Sequence, residues 1–266
     1  MAMTEMSAGS LIREWRQRRR MSQLDLALDA DVSQRHLSFV ESGRAKPSRD
    51  MVLKLAEHMD VPLRQRNRLL MAAGFAPCYG ERSLADPALK PALSAVELVL
   101  KGHEPFPAIA VDKGWTMVLA NTAITPFLAG IEDASLLEPP VNVLRLSLHP
   151  KGLAPRIVNL EAWRTHLIER LRMQIDASAD PVLAELEREL SAYPGRRGTR
   201  ERDWSPAANV AVPLQLRMDD RILSFISTIT IFGTPLDVTL SELAIESFFP
   251  ADAETGAYLR ELAGRG

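Results

Sequence analysis

Between Gln23 and Lys46 the chain gathers side chains suited to one kind of chemistry. Gln34, Arg35 and Ser38 fall within one helical turn. Glutamine can form two hydrogen bonds with an adenine edge and arginine two with a guanine edge. Arg44 and Lys46 follow in a short polar stretch and suit phosphate oxygens, as does Gln23, placed in the first turn of a helix where backbone N–H groups favour an anion. Ser38 can reach a base or sugar, His36 suits a phosphate, and Phe39, one turn beyond Arg35, is either a core ring or a contact for a thymine methyl. The chemistry implied is non-covalent reading of double-stranded DNA.

Such side chains work only on a rigid frame, and the flanking residues predict one. Ser10 is placed to cap a first helix carrying Leu11, Ile12 and Trp15 and ending in the basic run Arg16–Arg20. Ser22 caps a second, with Leu26, Ala27 and Ala30 inward. Asp31–Val32–Ser33 makes the turn, and Ser33 caps a third helix that buries Leu37, Val40 and part of Glu41, leaving Gln34, Arg35 and Ser38 outside. Gly43 suits a left-handed helix end. A fourth helix opens at Pro47–Ser48 with Met51, Val52, Leu55, Ala56 and Met59 on one side, and a fifth at Val61–Pro62 closes at Gly74. The offsets of Ser22–Gln23, Leu26–Ala27, Val32–Ser33, Leu37–Ser38, Glu41–Ser42–Gly43 and Pro47 resemble the Xre/Cro/C1 helix-turn-helix domains. Asp31 stands where that family usually places glycine. The resemblance implies a five-helix, lambda-repressor-like head over residues 1–76, with Gln23, Ser33, Gln34, Arg35, His36, Ser38, Phe39, Arg44 and Lys46 at the DNA.

The rest of the chain changes character. Residues 77–104 read as a linker with Pro77, Gly80, Pro87 and Pro91, then a connecting helix with Leu93, Val96 and Leu100. From residue 105 to 266 the pattern is α+β. Ala108–Asp112 and Trp115–Ala120 are short β-rich runs joined by Asp–Lys–Gly, and Asn121 is placed to cap a helix through Leu128. Residues 162–174 and 181–192 have helical periodicity. Val210–Met218, Arg221–Phe232 and Leu236–Phe249 return to strands, and the second, apolar or hydroxyl-bearing on both faces, predicts a central strand. Strand, turn, strand, asparagine, helix resembles the opening of a PAS domain.

Taken together, Leu148–His149–Pro150, Phe232–Gly233–Thr234–Pro235–Leu236–Asp237–Val238–Thr239 and Ile245–Glu246–Ser247–Phe248–Phe249–Pro250, with the head motifs, resemble the MmyB-like transcriptional regulators. That implies a regulator whose PAS-like antiparallel domain takes a small apolar ligand, such as a fatty acid, with no other cofactor. An apolar tunnel needs one polar anchor. Trp115, Met117, Leu119, Phe127, Trp163, Ile226, Phe232 and Leu236 are candidates for its walls, and Asn121, Arg145, His149 or Thr230 for the anchor; core packing is the alternative role for the aromatics. One recognition helix per chain implies a homodimer on two half-sites. The alternatives for the body are a ligand-independent dimerisation or partner-docking module, or a PAS-type cofactor sensor.

Bulk properties agree with that partner set. Residues 1–78 carry 13 Lys/Arg against 9 Asp/Glu, whereas the remainder carries 19 against 25. A basic head on an acidic body suits contact with DNA through the head alone. Five scattered histidines and one cysteine, Cys78, give no metal-ligand spacing, disulfide framework or nucleophile motif, so neither a metal nor an enzyme is expected. No apolar run reaches the roughly 20 residues of a membrane span, and a cytoplasmic protein is expected.

Overall fold

The computed structural model describes residues 7–194, 212–231 and 237–264. The chain divides into two compact units, Met1–Ser83 with Asp176–Ala179 and Pro235–Ser241, and Leu84–Ile175 with Asp180–Thr234 and Glu242–Gly266. The fold class is α+β, as expected: five helices precede an antiparallel five-stranded sheet with further helices.

In the first unit the helices are α1 (Ala8–Arg18), α2 (Gln23–Asp29), α3 (Gln34–Glu41), α4 (Arg49–His58) and α5 (Leu63–Ala72). Serine starts four of them. The hydroxyls of Ser7, Ser22, Ser33 and Ser48 accept from the amides of Ser10, Asp25, His36 and Met51. Ser10 is therefore not the first cap; α1 begins one turn earlier, because Ser7 supplies the acceptor that satisfies the Ser10 amide. At Ser22 the cap is reciprocal, with Asp25 accepting from the Ser22 amide at 2.8 Å. Ile12, Trp15, Leu26, Leu37, Val40, Val52, Leu55, Leu69 and Leu70 form the core, each worth about 1.5–3 kcal/mol when buried. Asp31 takes φ of 48° in the turn between α2 and α3, a left-handed backbone that aspartate tolerates better than most residues. Gly9 is required by packing: a Cβ there would stand 2.1 Å from the Val40 carbonyl oxygen, so α1 and α3 approach backbone to backbone.

The stretch after α5 is fastened to this unit. Asn67 Oδ1 accepts from the amides of Cys78 and Tyr79, and its Nδ2 donates to the Tyr79 carbonyl. The Val238 amide donates to the Gly80 carbonyl at 2.7 Å, and Arg82 pairs with Asp237.

The second unit begins with α6 (Lys90–Gly102), then β1 (Ala108–Val111), β2 (Met117–Ala120), α7 (Thr125–Leu128), α8 (Val143–Leu148), α9 (Leu160–Ser178), α10 (Pro181–Ala192), β3 (Leu214–Met218) and β4 (Arg221–Ile231). A turn of helix, α11 (Val238–Ser241), lies in the first unit. The chain ends in β5 (Ala244–Pro250) and α12 (Ala253–Ala263), a helix the sequence reading passed over. The sheet order is β2-β1-β5-β4-β3, all antiparallel. β1 is covered on both faces: Ile109 and Val111 join the main core, while Ala108 and Ala110 pack with Val96 and Leu100 of α6.

Three expectations about the strands need correction. β4 is not the central strand; β5 is. Ile222, Ile226, Ile229 and Ile231 of β4 are each at least 39 % exposed: Ile222 and Ile226 lie on the face opposite buried Leu223 and Phe225, and Ile229 and Ile231 lie beyond the segment paired with β3. The run expected from Leu236 enters the sheet only at Ala244, after the helical turn at Val238. Trp115 is not in a strand: with φ of 65° it belongs to the turn, where Asp112 Oδ1 accepts from the amides of Gly114 and Thr116. Among the described residues no helix is long and apolar enough to cross a membrane.

Candidate DNA interface and ligand cavity

On the first unit the exposed side of α3 presents Gln34, Arg35 and His36, with Ser33 at its start and Ser38 and Phe39 half-buried. Arg44 and Lys46 are exposed in the loop beyond Gly43, whose φ of 75° turns the chain. Phe39 supports this face. The Arg35 and Arg44 guanidinium carbons lie 5.5 and 5.8 Å from its ring centroid. A ring between two cations holds both arginines to one side of α3. Arg35 is thus exposed on α3 with its guanidinium beside the Phe39 ring.

Beneath the face lies a buried ion pair. Arg16 donates to Glu41 through Nε at 2.6 Å and Nη2 at 2.9 Å, and its Nη1 donates to the Met21 carbonyl at 2.7 Å. Gln23 Nε2 donates to Glu41 Oε2 at 2.8 Å. Glu41 therefore ties α1, α2 and α3 together, and Gln23 keeps a second Nε2 hydrogen for an outside acceptor. Burial alone would raise the Glu41 carboxyl, but the bonds from Arg16 and Gln23 overcome it and hold Glu41 below its ordinary value of 4.5. A group depressed in the folded state stabilises above its unfolded value and loses that contribution as pH falls through the folded one. The stability gap between the native chain and Glu41→Gln should therefore be full above about pH 5 and shrink steadily below about pH 4. Urea titrations across that range check it; a gap independent of pH would mean that Glu41 is not held as a carboxylate.

Lys46 lies in the loop beyond α3, apart from Gln34 and Arg35, and its replacement tests the phosphate role expected of it. Lys46→Ala should weaken all DNA sequences alike and reduce the slope of log affinity against log salt by about 0.9. Binding isotherms at several salt concentrations give that slope.

The second unit holds a cavity of about 100 Å³, partly open to solvent. Ile109, Met117, Leu216, Phe225 and Phe248 line it from the sheet, and Phe127, Leu144, Ser147, Trp163 and Leu167 from α7, α8 and α9. Glu246 of β5 is also on its wall. Trp163 Nε1 donates to Ser147 Oγ at 3.0 Å, a bond between two residues of the lining.

Of the residues selected from sequence, Met117, Phe127 and Trp163 meet at this cavity. The others are placed elsewhere, for identifiable reasons. Residues 117–119 span a bulge: Val111 pairs with Met117 but Ala110 with Leu119, so Val118 is extra and Leu119 turns to the α6 face. Ile226 and Thr230 pair with Phe249 and Ile245, on the face opposite Phe225 and Phe248. Trp115 is core, its Nε1 donating to Gln174 at 2.8 Å. Asn121 stands at the N-cap position of the helical turn Thr122–Ile124 that leads into α7, as expected, but its side chain makes no capping bond; its amide instead accepts from the Ala108 amide and donates to the Leu100 and Phe106 carbonyls. Arg145 forms a forked pair with Glu189 on α10. His149 packs edge-on against Tyr193. Phe232 and Leu236 lie outside the described residues.

Sequence reasoning missed Phe225, Phe248 and Glu246. Their shared face follows from the β4–β5 register, Ser227 opposite Phe248 and Ile229 opposite Glu246, which no period within a single strand reveals. His166, on α9 between Trp163 and Arg170, is held below its ordinary value by burial and by the Arg170 charge. Among the described residues there is no cluster able to hold a metal.

Comparison with known families fits both sites. A helix-turn-helix model matches residues 12–65, the span of α1 to the start of α5. A model for the MmyB-like transcription regulator ligand binding domain matches residues 93–262, which includes the whole cavity. Among curated proteins none matches the chain. With that model covering well over half its length, the chain belongs to the family of MmyB-like transcription regulators, an Xre-type helix-turn-helix DNA-binding unit joined to a ligand-binding domain.

Proposed function

We propose that the chain is a homodimeric cytoplasmic regulator whose affinity for its DNA operator is set by a small apolar ligand, such as a fatty acid, held in the cavity of the second unit. The cavity carries this reading. Apart from Ser147 and Glu246 its lining is apolar, and tight apolar cavities stay dry and bind apolar molecules. The dimer follows from the single recognition helix, because specific operators offer two half-sites about 34 Å apart. The sheet order β2-β1-β5-β4-β3, with a hairpin leading into helices and the last strand beside the first, supports a PAS-like domain.

Chain continuity supports control of DNA binding. α9 contributes Trp163 and Leu167 to the cavity, and its last residues are part of the first unit. There the Ala177 carbonyl accepts from Arg19 and the Ser178 carbonyl from Gln65, each at 3.3 Å. A ligand changes DNA affinity only by binding two arrangements unequally, and known couplings run to about 1–3 kcal/mol, or roughly 5- to 150-fold.

Val143→Phe, which adds bulk to the cavity wall, is the direct test. Native mass spectrometry of the chain as purified should show an apolar adduct that is lost in Val143→Phe, while the variant still unfolds cooperatively. Equal adduct in both would place the ligand elsewhere. No adduct in either would favour a ligand-independent dimerisation module.

A further inference from the structure

Glu246 is 4 % exposed and is the one charged residue on the cavity wall among the described residues. Its Oε1 accepts from Arg170 Nη1 at 3.1 Å, whereas Oε2 has no donor among the described residues. The Arg170 guanidinium carbon lies 4.2 Å from the Trp115 ring centroid, and its Nη2 is buried with no partner among the described residues. The pair is already neutral, since each charge balances the other. A carboxylate anion brought beside Oε2 would leave a net negative charge in an apolar enclosure. An ammonium would leave a net positive one. Either is costly where solvent cannot screen it.

We infer that the cavity selects a neutral ligand whose inner end donates a hydrogen bond to Glu246 Oε2, an alkyl or ring-bearing alcohol or a protonated acid, rather than an ionised carboxylate. This rests on the reading of the cavity as the ligand site. The volume narrows the class further. At about 100 Å³ it is smaller than the roughly 150 Å³ cavity that holds benzene in another protein. The inner end therefore seats a short alkyl group smaller than a benzene ring, and any ring or longer chain lies out towards the opening.

Calorimetric titration of the extracted full chain with 1-hexanol, hexanoate and hexylammonium at pH 8 tests this, since the three share one tail. Hexanol should bind about tenfold tighter than either ion, the effect of one satisfied buried acceptor against one uncompensated charge. In Glu246→Gln, whose amide can donate to a carboxylate, the preference for hexanol over hexanoate should largely vanish. Arg170→Met/Glu246→Leu removes both charges at similar volume and serves if the single variant does not fold; there hexanol loses its acceptor and should bind about tenfold more weakly than in the native chain. Hexanoate binding as tightly as hexanol in the native chain, a preference that survives in folded Glu246→Gln, or hexanol affinity unchanged in the double variant, would overturn the inference and leave the cavity reading standing. Failure of every probe to bind, or equal binding by Val143→Phe, would instead remove the cavity reading and this inference with it.

Discussion

Arg16→Ala should destabilise the first unit by about 3–5 kcal/mol, the cost of leaving a buried carboxylate without its partner. The Arg16 and Glu41 side chains are 10 % and 3 % exposed, so water cannot replace the lost bonds. For a unit of this size that corresponds to a fall in melting temperature of more than about 12 °C. The comparison with Arg16→Met/Glu41→Leu carries the meaning. Removing both charges at similar volume should restore most of the stability, because the pair's attraction mainly offsets the cost of its own burial. DNA binding need not return with it. Gln23 also bonds to Glu41, so the double variant frees the Gln23 amide and should weaken operator binding even where the fold is sound. Calorimetric melting and DNA titration on the same samples separate the two effects. Equal loss of stability in the single and double variants would mean that apolar packing around Glu41, not its pairing, is what matters.

Arg35→Ala should cost about 1–3 kcal/mol of discrimination at one base step, roughly 5- to 150-fold, while non-specific binding changes little. The side chain is exposed on α3 and braced by Phe39, so its removal leaves the helix and its Ser33 cap untouched. A selection from random DNA with native chain and variant should lose information at one position of each half-site. Loss spread evenly over the site would give Arg35 a phosphate role like that of Lys46. Phe39→Leu should produce a weaker form of the same change, because both flanking arginines lose the ring that confines them.

The first unit was largely legible before its structure. Its helices are marked by serine caps, by inward residues at helical spacing and by left-handed turns at Asp31, Gly43 and Gly74, all local features. The one misplaced start, Ser10 for Ser7, arose because two serines stand at N3 spacing and either could cap. Glu41 was read as partly inward, but its long-range partner Arg16, 25 residues away, was not legible. The cavity was harder for the same reason. Which face a strand residue occupies depends on pairing register, and a single bulge at Val118 sends Met117 and Leu119 to opposite sides. Candidates for the polar anchor failed to meet at the cavity because Asn121 and Arg145 had nearer partners, three backbone groups and the Glu189 carboxylate, and because Thr230 lies on the other face of β4. Glu246 carried no local mark at all, lying in an apolar run that reads as core.

The central claim is that occupancy of this cavity governs DNA affinity, and one measurement addresses it directly. The dissociation constant of the full chain for its selected operator is determined by fluorescence anisotropy, after extraction and again at saturating 1-hexanol. Native chain and Val143→Phe are run side by side. A change of about fivefold or more in the native chain, absent from the variant, is the predicted result. An unchanged constant in the native chain, with calorimetry showing the cavity filled, would contradict it.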